Sequence, residues 1–395
     1  MKRLKKLFSV STAIICSLMG ASCGLFGVES NTQSDVEIQA SDQWYLLENV
    51  SEVKNVVLLI GDGMGPEHIK AGEIYKGEEL VMQKFPYKTK VDTNSLDGVT
   101  DSAAASTAMA TGKRTYTGYI GLNSNEFVGN EGEELTTIVD IVADMGKRVG
   151  ILTTEALYGA TPMGFSAHAT SRNSYDELLA SAATTSNVNL FASCEFNSSY
   201  YKAITGNGYS RIMNVEDISD SVQEKIFGAY NIKSDAKSMT AGDKVAFDYL
   251  VTEALEYLSQ DEDGFFLMAE GAMIDKTAHD NNMENMLSEL LAFDDAVKAT
   301  LEWAKERSDT VVIVTADHET GCLTVGPAAT KENILDKKGV TPLNYLWASE
   351  GHTGTEVWCF VNGKDIDFAQ YSRGIKTGIK NTDIFEIIKD LYQVD

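Results

Sequence analysis

The chain has 395 residues, of which 43% are hydrophobic and 23% charged. This apolar fraction suffices for a large buried core and excludes a disordered chain or a collagen-like fibre. Asp and Glu total 58 against 33 Lys and Arg, a formal net charge of −25 at pH 7. Such acidity excludes the nucleic-acid backbone as the main partner, because that binding needs clustered cations. It does not exclude small anionic substrates, since bound metal ions can reverse the electrostatic field at one site.

Residues 1–23 have the three-part layout of an export signal. Four cations within residues 1–6 precede a mostly apolar stretch over residues 7–19, and small residues then lead to Cys23. The stretch is too short for a confident membrane span. Its Gly-Ala-Ser-Cys ending resembles a bacterial lipoprotein cleavage site, although Gly20 stands where Leu is usual. A lipid anchor through Cys23 and plain secretion both stay open, and each predicts an exported protein in the periplasm, outside the cell or on the cell envelope.

Residues 24–48 are polar and lack an apolar period, which predicts a flexible tether. Residues 49–395 are then expected to form a single catalytic domain. Its three cysteines, Cys194, Cys322 and Cys359, permit at most one internal disulfide. We expect small buried side chains at all three positions, and pairing of Cys322 with Cys359 stays open.

Apolar strands alternate with helices along the body of the chain. The predicted strands are Val53–Ile60, Arg148–Thr154, Gly264–Ala269, Thr310–Thr315 and Val357–Val361, and the predicted helices are Ser102–Thr111, Thr136–Met145, Asn285–Arg307 and Thr382–Tyr392. This order predicts an α/β protein, a three-layer sandwich whose central, mainly parallel sheet is flanked by helices on both faces. The segment at about residues 173–260 lacks the alternation, and we interpret it as an irregular insertion that covers the sheet.

Ligands of such sheets bind at the carboxyl ends of the strands. Residues of ligand type follow the predicted strands at five places: Asp62, Glu155, Glu270, Asp275 and the pair Asp317-His318. The sequence therefore predicts that the chemistry of this protein lies at this edge.

Several of these residues have spacings compatible with metal binding. Asp275 and His279 are four residues apart, so a helical turn puts both on one face, although a surface pair is the more frequent meaning of that spacing. Asp317 and His318 can reach one ion only if the strand has ended and the backbone has turned, and otherwise mark a solvated strand end. His352 lies between glycines and could equally be an ordinary loop histidine. Zn²⁺ takes such nitrogens and carboxylates, whereas Mg²⁺ takes carboxylates, hydroxyls and water.

Ser102 begins the predicted Ala-rich helix that Gly112 ends. Unpaired amides and the helix dipole at that end favour an alkoxide and a bound phosphoryl group. The simpler interpretation is that Asp101 or Ser102 only caps the helix. No Ser-His-Asp triad is evident, so a nucleophilic serine would need a metal ion to lower its pKa.

Taken together, six blocks of sequence resemble alkaline phosphatases and occur in the order found in that family. The blocks are 55–65, 100–104, 160–162 with 168–172, 270–279, 315–318 and 351–354. Each block is moderately specific, and the ordered set is very specific. The resemblance implies an alkaline phosphatase-like fold and a phosphate monoester hydrolase with two Zn²⁺ and one Mg²⁺.

The resemblance also implies three sets of metal ligands. Asp275, His279 and His352 match the ligands of the first zinc, which activates water and binds the leaving-group oxygen. Asp62, Asp317 and His318 match those of the second zinc, which binds the oxygen of Ser102. Magnesium is expected to be held by Asp62, Thr161 and Glu270.

The remaining roles concern the phosphate group and the assembly. Ser102 matches the nucleophile, Arg172 the guanidinium that binds two phosphate oxygens, and Lys276 a residue that reaches phosphate through water. The family resemblance also implies a homodimer.

One departure affects the magnesium site: Gly159 stands where bacterial members often have Asp and animal members have His. We therefore expect a third metal that is held more weakly or by different outer-sphere groups. His68 and His168 receive no metal role.

The sequence thus predicts an exported enzyme that forms a phosphoserine intermediate at Ser102 and releases inorganic phosphate from small phosphomonoesters. A phosphodiesterase or a sulfatase on the same scaffold is the nearest alternative. The chain lacks a Cys/Ser-x-Pro-x-Arg sequence typical of sulfatases, and it has the Thr161 and Glu270 that a diesterase would not require. A metal-loaded surface binding protein without turnover would not need both Ser102 and Arg172.

Overall fold

The computed structural model describes residues 44–123, 132–185, 187–194, 198–235, 244–336, 341, 343–372 and 378–394. The predicted signal segment, Cys23 and the predicted tether up to residue 43 lie outside the described residues. From Gln43 to Asp395 the chain forms one compact unit. Tyr45 and Leu47, at the end of the predicted tether, already contact that unit: Asn362 Nδ2 donates to Tyr45 O at 2.7 Å, and Leu47 N donates to Asn362 Oδ1 at 3.1 Å.

The described residues include sixteen strands and ten α-helices. The strands are β1 (Asn55–Gly61), β2 (Tyr87–Asp92), β3 (Leu122–Asn123), β4 (Glu133–Glu134), β5 (Arg148–Thr153), β6 (Leu190–Cys194), β7 (Ser210–Ile212), β8 (Ile226–Tyr230), β9 (Phe265–Gly271), β10 (Thr310–Thr315), β11 (Glu319–Thr320), β12 (Leu323–Val325), β13 (Tyr345–Trp347), β14 (His352–Thr353), β15 (Val357–Asn362) and β16 (Ile379–Lys380). The helices are α1 (Pro66–Lys76), α2 (Ser102–Thr111), α3 (Ile138–Asp144), α4 (Ala160–Ser166), α5 (Tyr175–Thr185), α6 (Ser198–Thr205), α7 (Phe247–Leu258), α8 (Met273–His279), α9 (Met283–Ala304) and α10 (Thr382–Leu391).

Ten strands form one central sheet in the order β16-β2-β15-β10-β1-β9-β5-β6-β8-β7. Within this sheet only β15 is antiparallel to its neighbours, β10 and β2. β1 lies in the middle, with Asn55 opposite Thr310 of β10 and Val56 opposite Phe266 of β9. Every residue of these three strands is buried, as expected for parallel strands that are covered on both faces.

The helices cover the sheet in two groups. α9 packs against α1, α7 and α8 and contacts the central strands, whereas α2 packs against α3, α4 and α10. This arrangement confirms the predicted three-layer α/β sandwich with a mainly parallel sheet. No helix among the described residues is both long enough and apolar enough to span a membrane.

The ends of the predicted helices depend on their capping residues. α2 has the predicted bounds, since Asp101 accepts a hydrogen bond from Ala104 N at one end and Gly112 adopts a left-handed φ of 69° at the other. α9 begins two residues earlier than predicted, because Asn282 caps it by accepting from Asn285 N. The cap of α10 is Asn381, not the predicted Thr382, because the Asn381 side chain accepts from Thr382 N.

The prediction of an irregular insertion at about residues 173–260 is wrong. This segment contains α5, α6 and α7, and its strands β6, β8 and β7 extend the central sheet in parallel beyond β5. The strands were missed because they are short and include small or polar residues, as in Leu-Phe-Ala-Ser-Cys of β6 and Ser-Arg-Ile of β7. Such runs lack the continuous β-branched pattern of β1 and β10.

The three cysteines of the body are free thiols. Cys359 lies fully buried in β15, and burial raises the pKa of its thiol to about 12. It is therefore an inert core side chain, as expected. Cys194 and Cys322 are only half-buried, so the prediction of burial is wrong for these two.

Asp294 of α9 ties a neighbouring 3-10 turn, Val81–Lys84, to the core. Its Oδ2 accepts hydrogen bonds from Val81 N at 3.0 Å and Lys76 Nζ at 3.1 Å, and its Oδ1 accepts from Met82 N at 3.3 Å. The Asp294→Ala substitution leaves buried donors without acceptors, so we expect a loss of about 3 kcal/mol in the free energy of unfolding, measured by urea denaturation.

The matched control is Asp295→Ala, at the next and exposed position of α9. It should change the free energy of unfolding by no more than about 0.5 kcal/mol. Equal effects of the two substitutions would contradict the role of Asp294 in holding the Val81–Lys84 turn.

Candidate metal centre and active site

Acidic side chains lie at the carboxyl ends of four adjacent strands of the sheet. Asp62 follows β1, Glu270 lies near the end of β9, Glu155 follows β5 by two residues, and Asp317 follows β10. Because these strands are parallel neighbours, their carboxyl ends meet at one edge of the sheet. Asp62, Glu270 and Asp317 are at most 1% exposed. The predicted location of the chemistry therefore coincides with a buried cluster of carboxyl groups.

The first set of predicted ligands that converge is Asp62, Asp317 and His318. His318 Nε2 lies 3.4 Å from Asp62 Oδ1 and 3.2 Å from Asp317 Oδ2. Neither of these two oxygens has a hydrogen-bond partner although both are buried. Ligands about 2.0–2.1 Å from a tetrahedral zinc lie about 3.3 Å from one another, so this set fits a zinc ion.

Local backbone geometry fixes this set. Gly63 N and His318 N both donate to Asp317 Oδ1, at 3.0 and 2.9 Å. Gly63 has a φ of +72°, and a Cβ there would lie 2.8 Å from Thr320 Oγ1 and 2.9 Å from Asp275 Cα. The glycine is thus required both by the left-handed turn and by the close approach of α8 and β11.

The second set comprises Asp275, His279 and His352. Asp275 Oδ1 lies 3.3 Å from His279 Nε2 and 3.6 Å from His352 Nε2, and the two imidazole nitrogens are 3.2 Å apart. His352 Nδ1 donates to Thr100 O at 2.9 Å, and His279 Nδ1 donates to Glu350 O. Since a carbonyl can only accept, the neutral form of each ring carries its proton on Nδ1 and presents the lone pair of Nε2, which a metal ion can bind.

The two sets adjoin one another through His318 and Thr320. The rings of His318 and His352 stack with centroids 3.6 Å apart, and one ligand atom each of Asp275, His318 and His352 also lie within 4.8 Å of one another. Thr320 Oγ1 donates to Asp275 Oδ1 at 2.5 Å and lies 3.2 Å from His318 Nδ1. No role was predicted for Thr320 from the sequence. Its position two residues after His318 was the one indication in the sequence that it lies near the ligand sets.

Thr161, Glu270 and Thr153 provide a third group of buried oxygens. Thr161 Oγ1 and Glu270 Oε1 are fully buried without a hydrogen-bond partner, and Thr153 Oγ1 donates to Glu270 Oε2. Hydroxyl and carboxylate oxygens are the donors that Mg²⁺ prefers, so these residues fit the predicted magnesium ligands.

Burial and neighbouring groups shift the pKa values of the carboxyl groups in different directions. Burial, followed by the charges of Asp317 and Asp275, raises the pKa of Asp62 well above its usual range. Burial and then Glu155 raise the pKa of Glu270 to about 8. Burial also acts to raise the pKa of Asp275, but hydrogen bonds from His279 and His352 outweigh it and hold that pKa well below its usual range. Such a cluster can hold all its carboxylates ionised if cations compensate them.

The predicted nucleophile adjoins the metal-ligand sets. Ser102 is the first residue of α2 and is 2% exposed, and its Oγ lies 3.2 Å from His318 Nε2. Ser102 is not the N-cap of α2, because the side chain of Asp101 caps the helix. The Ser102 hydroxyl is therefore available for another role.

Arg172 and Lys276 supply positive charge beside these sets. Arg172 Nη1 donates to Asp101 Oδ2 at 3.0 Å, and Arg172 N donates to Gly118 O at 2.8 Å. Lys276 Nζ lies 3.6 Å from both Glu155 Oε2 and Asp275 Oδ2. Sequence reasoning considered Asp101 only as a cap and missed its contact with Arg172, which bridges 71 positions of sequence.

The other two histidines lie outside both ligand sets. His68 is fully buried, with its ring edge-on against Trp347 at 5.5 Å between centroids. His168 Nε2 contacts Leu135 O at 3.0 Å.

Comparison with known proteins agrees with this fold. The alkaline phosphatase family model matches residues 53–231 and 201–343. The chain is 31% identical over 329 residues to alkaline phosphatase 4 of Bacillus subtilis, covering 76% of this chain and 70% of that relative. Its identity to the alkaline phosphatase of Escherichia coli is 29% over 343 residues, covering 69% and 72% of the two chains.

Solved structures give the same result for the fold. The alkaline phosphatase of the Antarctic bacterium TAB5 superposes with a TM-score of 0.70 at 27% identity, covering 88% of this chain and all of that one. The Thermus thermophilus alkaline phosphatase, at 18% identity and a TM-score of 0.71 over 91% of this chain and 96% of that one, supports the fold alone. The fold is thus that of alkaline phosphatases. The chain belongs to the alkaline phosphatase family.

The buried His68 should make stability sensitive to acid. Burial lowers its pKa from 6.5 to about 4, so the unfolded chain takes up the proton first as the pH falls. The stability linked to this group is fully present above pH 6.5 and is lost between pH 6.5 and about 4. In His68→Met this loss should be smaller by about 3 kcal/mol, measured by urea denaturation of chelated protein at both pH values. His168→Met is the control for a less buried histidine, and equal acid losses in the His68→Met and unmodified proteins would refute the assignment.

Proposed function

We propose that this protein is an exported, metal-dependent phosphate monoester hydrolase that works through a phosphoserine intermediate at Ser102 and releases inorganic phosphate. One observation carries the proposal: a buried serine hydroxyl at a helix N-terminus lies beside two converging sets of carboxylates and imidazoles. Asp275, His279 and His352 would hold one zinc ion, and Asp62, Asp317 and His318 a second. Asp62, Thr161 and Glu270 would hold magnesium. A TAB5 alkaline phosphatase variant with Mg bound in its M3 site, at 26% identity and a TM-score of 0.70, supports this choice of metal.

The protein's own groups account for substrate binding and orientation. Arg172 can donate two parallel hydrogen bonds to phosphate oxygens, and its contact with Asp101 holds the guanidinium in place. The amides that begin α2 face the same phosphoryl group. Lys276 adds a further positive charge beside Asp275. These groups orient phosphorus for in-line attack by Ser102 Oγ.

The reaction then proceeds in two displacements. Ser102 Oγ bonds to phosphorus as the ester oxygen departs, and water next attacks phosphorus to release phosphate and restore the serine. The metal ions, when bound, supply the positive charge that lowers the pKa of the Ser102 hydroxyl and of water and neutralises the phosphoryl oxygens.

Location, assembly and partners are proposed from the sequence. Residues 1–23 direct export, and Cys23 either carries a lipid anchor or is removed with the signal. Small phosphomonoesters as substrates and a homodimer as the assembly both follow from family resemblance.

Replacing the nucleophile tests the central step. Ser102→Ala should lower phosphomonoesterase turnover by about 10³-fold or more, since loss of a covalent nucleophile removes the whole two-step route. Turnover is measured on a chromogenic monoester with Zn²⁺ and Mg²⁺ content verified by elemental analysis. Ser106→Ala is the matched control, because that hydroxyl lies one turn further along α2 and donates to Ser102 O. Full activity of Ser102→Ala with normal metal content would refute the mechanism.

Three substrates separate the proposed activity from its alternatives. Rates are compared on a phosphate monoester, a phosphate diester and a sulfate ester, each with and without chelator. We expect the monoester to be turned over fastest and the chelator to abolish turnover. A preference for the diester or sulfate ester would assign the corresponding activity, and no turnover of any ester by metal-loaded protein would favour a binding protein.

The contact between Asp101 and Arg172 gives a second prediction. Asp101→Asn keeps a side chain that can cap α2 but removes the charge that holds the guanidinium. We expect KM for a monoester and Ki for inorganic phosphate to rise by about tenfold, equivalent to about 1.4 kcal/mol. Asp97→Asn is the control, because Asp97 contacts Ser95 and Thr117. An unchanged phosphate Ki in Asp101→Asn would contradict the role of this contact.

A further inference from the structure

Gly159 is the residue before α4, and a neighbouring carboxylate fills the space beside it. A Cβ built on Gly159 would collide with Glu155 Oε1 and lie 2.8 Å from Glu155 Cδ. The backbone of Gly159 is extended, with φ −55° and ψ 152°, so its conformation does not itself require glycine. The carboxylate of Glu155 thus occupies the place that a side chain at position 159 would take.

Glu155 is held in this place by its backbone and its charge. Glu155 N donates to Thr153 Oγ1 at 3.2 Å, and Cys194 N donates to Glu155 O at 2.7 Å. Its side chain is only 19% exposed, and Oε2 lies 3.6 Å from Lys276 Nζ. Burial raises the pKa of Glu155, whereas the charges of Lys276 and Arg172 oppose that rise. The cations therefore favour an ionised carboxylate at this position.

The backbone of Glu155 is linked to the group of buried oxygens described above. Thr153 Oγ1 links the two acids, since it accepts from Glu155 N and donates to Glu270 Oε2. Glu270 Oε1 and Thr161 Oγ1 are both fully buried and have no hydrogen-bond partner. Two acids linked through Thr153, beside buried oxygens without hydrogen-bond partners, supply oxygen donors of the kind that a hard divalent cation binds.

We propose that Glu155 supplies, from the end of β5, the carboxylate that position 159 lacks, and that it completes the oxygen-rich site of Asp62, Thr161 and Glu270 for Mg²⁺. The proposal rests on the proposed function in taking this site as the third metal site. Of the two outcomes expected for Gly159, weaker binding or different outer-sphere groups, it favours the second, because the missing side chain is compensated from four positions earlier in the sequence. Mg²⁺ keeps several waters in proteins, and an outer carboxylate stabilises the ion by accepting their hydrogen bonds.

A reciprocal rescue tests whether the carboxylate is needed at this place. Four proteins are compared: unmodified, Glu155→Ala, Gly159→Asp, and the double variant Glu155→Ala/Gly159→Asp. The Kd for Mg²⁺ is measured by isothermal titration calorimetry on protein saturated with Zn²⁺. We expect Glu155→Ala to raise Kd by about 10- to 100-fold, the usual effect of losing an outer partner of a metal. The double variant should recover most of this loss, whereas Gly159→Asp alone should gain nothing because two carboxylates compete for one space.

Glu289→Gln is the matched control. Glu289 lines the same cavity of about 340 Å³ as Glu155, but its Oε1 accepts a hydrogen bond from Ser234. Its substitution should leave the Kd for Mg²⁺ unchanged. If Glu155→Ala does not fold, Glu155→Gln removes the charge at nearly constant shape and should raise Kd in the same direction.

The proposal is overturned if Glu155→Ala binds Mg²⁺ as tightly as the unmodified protein, if the double variant stays as weak as Glu155→Ala, or if the unmodified protein does not bind Mg²⁺. The calorimetric readout is independent of turnover. Failure of the unmodified protein to hydrolyse a phosphate monoester would therefore refute the proposed function while the Mg²⁺ comparison still decides the role of Glu155.

Discussion

The constraint on which this site depends is the burial of several carboxyl groups within a few ångströms of one another. Asp62, Glu270 and Asp317 are almost inaccessible to solvent, and the pKa values of Asp62 and Glu270 are raised by burial and by neighbouring acids. Buried charges are costly unless they are paired or bind metals. Asp275 differs from Asp62 and Glu270, because hydrogen bonds from His279 and His352 outweigh burial and hold its pKa low. The fold thus concentrates carboxyl groups that can all be ionised together only when bound cations compensate their charge.

The parallel sheet is what allows this concentration. Its central strands are apolar along their length and buried on both faces, so hydrophobic burial can offset unfavourable electrostatics at one edge. Because β10, β1, β9 and β5 are neighbours with a common direction, residues far apart in sequence meet at their carboxyl ends. α2 then brings Ser102 to the same edge. Rigid strands hold the ligands, while helix ends supply the nucleophile and the anion-binding amides.

The sequence predicted those parts of the protein that local patterns determine. α2 and β10 have the predicted bounds, because a cap and a left-handed glycine limit the helix and an unbroken β-branched run marks the strand. The strands β6–β8 were missed because they lie toward the sheet edge with short, small-residue sequences. Family motifs predicted the candidate ligand residues, but not the contacts of Thr320 with Asp275 or of Glu155 with Lys276. Those contacts depend on how separate elements approach, which no local pattern encodes.

A net charge of −25 and an anionic substrate are compatible because the two act at different places. At the proposed site, Arg172 and Lys276 lie among acids that raise the pKa of each against the opposing effect of burial, so both half-buried side chains remain charged. Two cationic side chains alone face a larger number of carboxylates, and phosphate would meet net repulsion without metals. Under the proposed function, metal loading and phosphate binding are therefore linked: each must raise the affinity of the site for the other by the same factor. The acidic cluster then repels phosphate until bound cations have reversed the electrostatic field of the site. Substrate binding would therefore require prior metal binding.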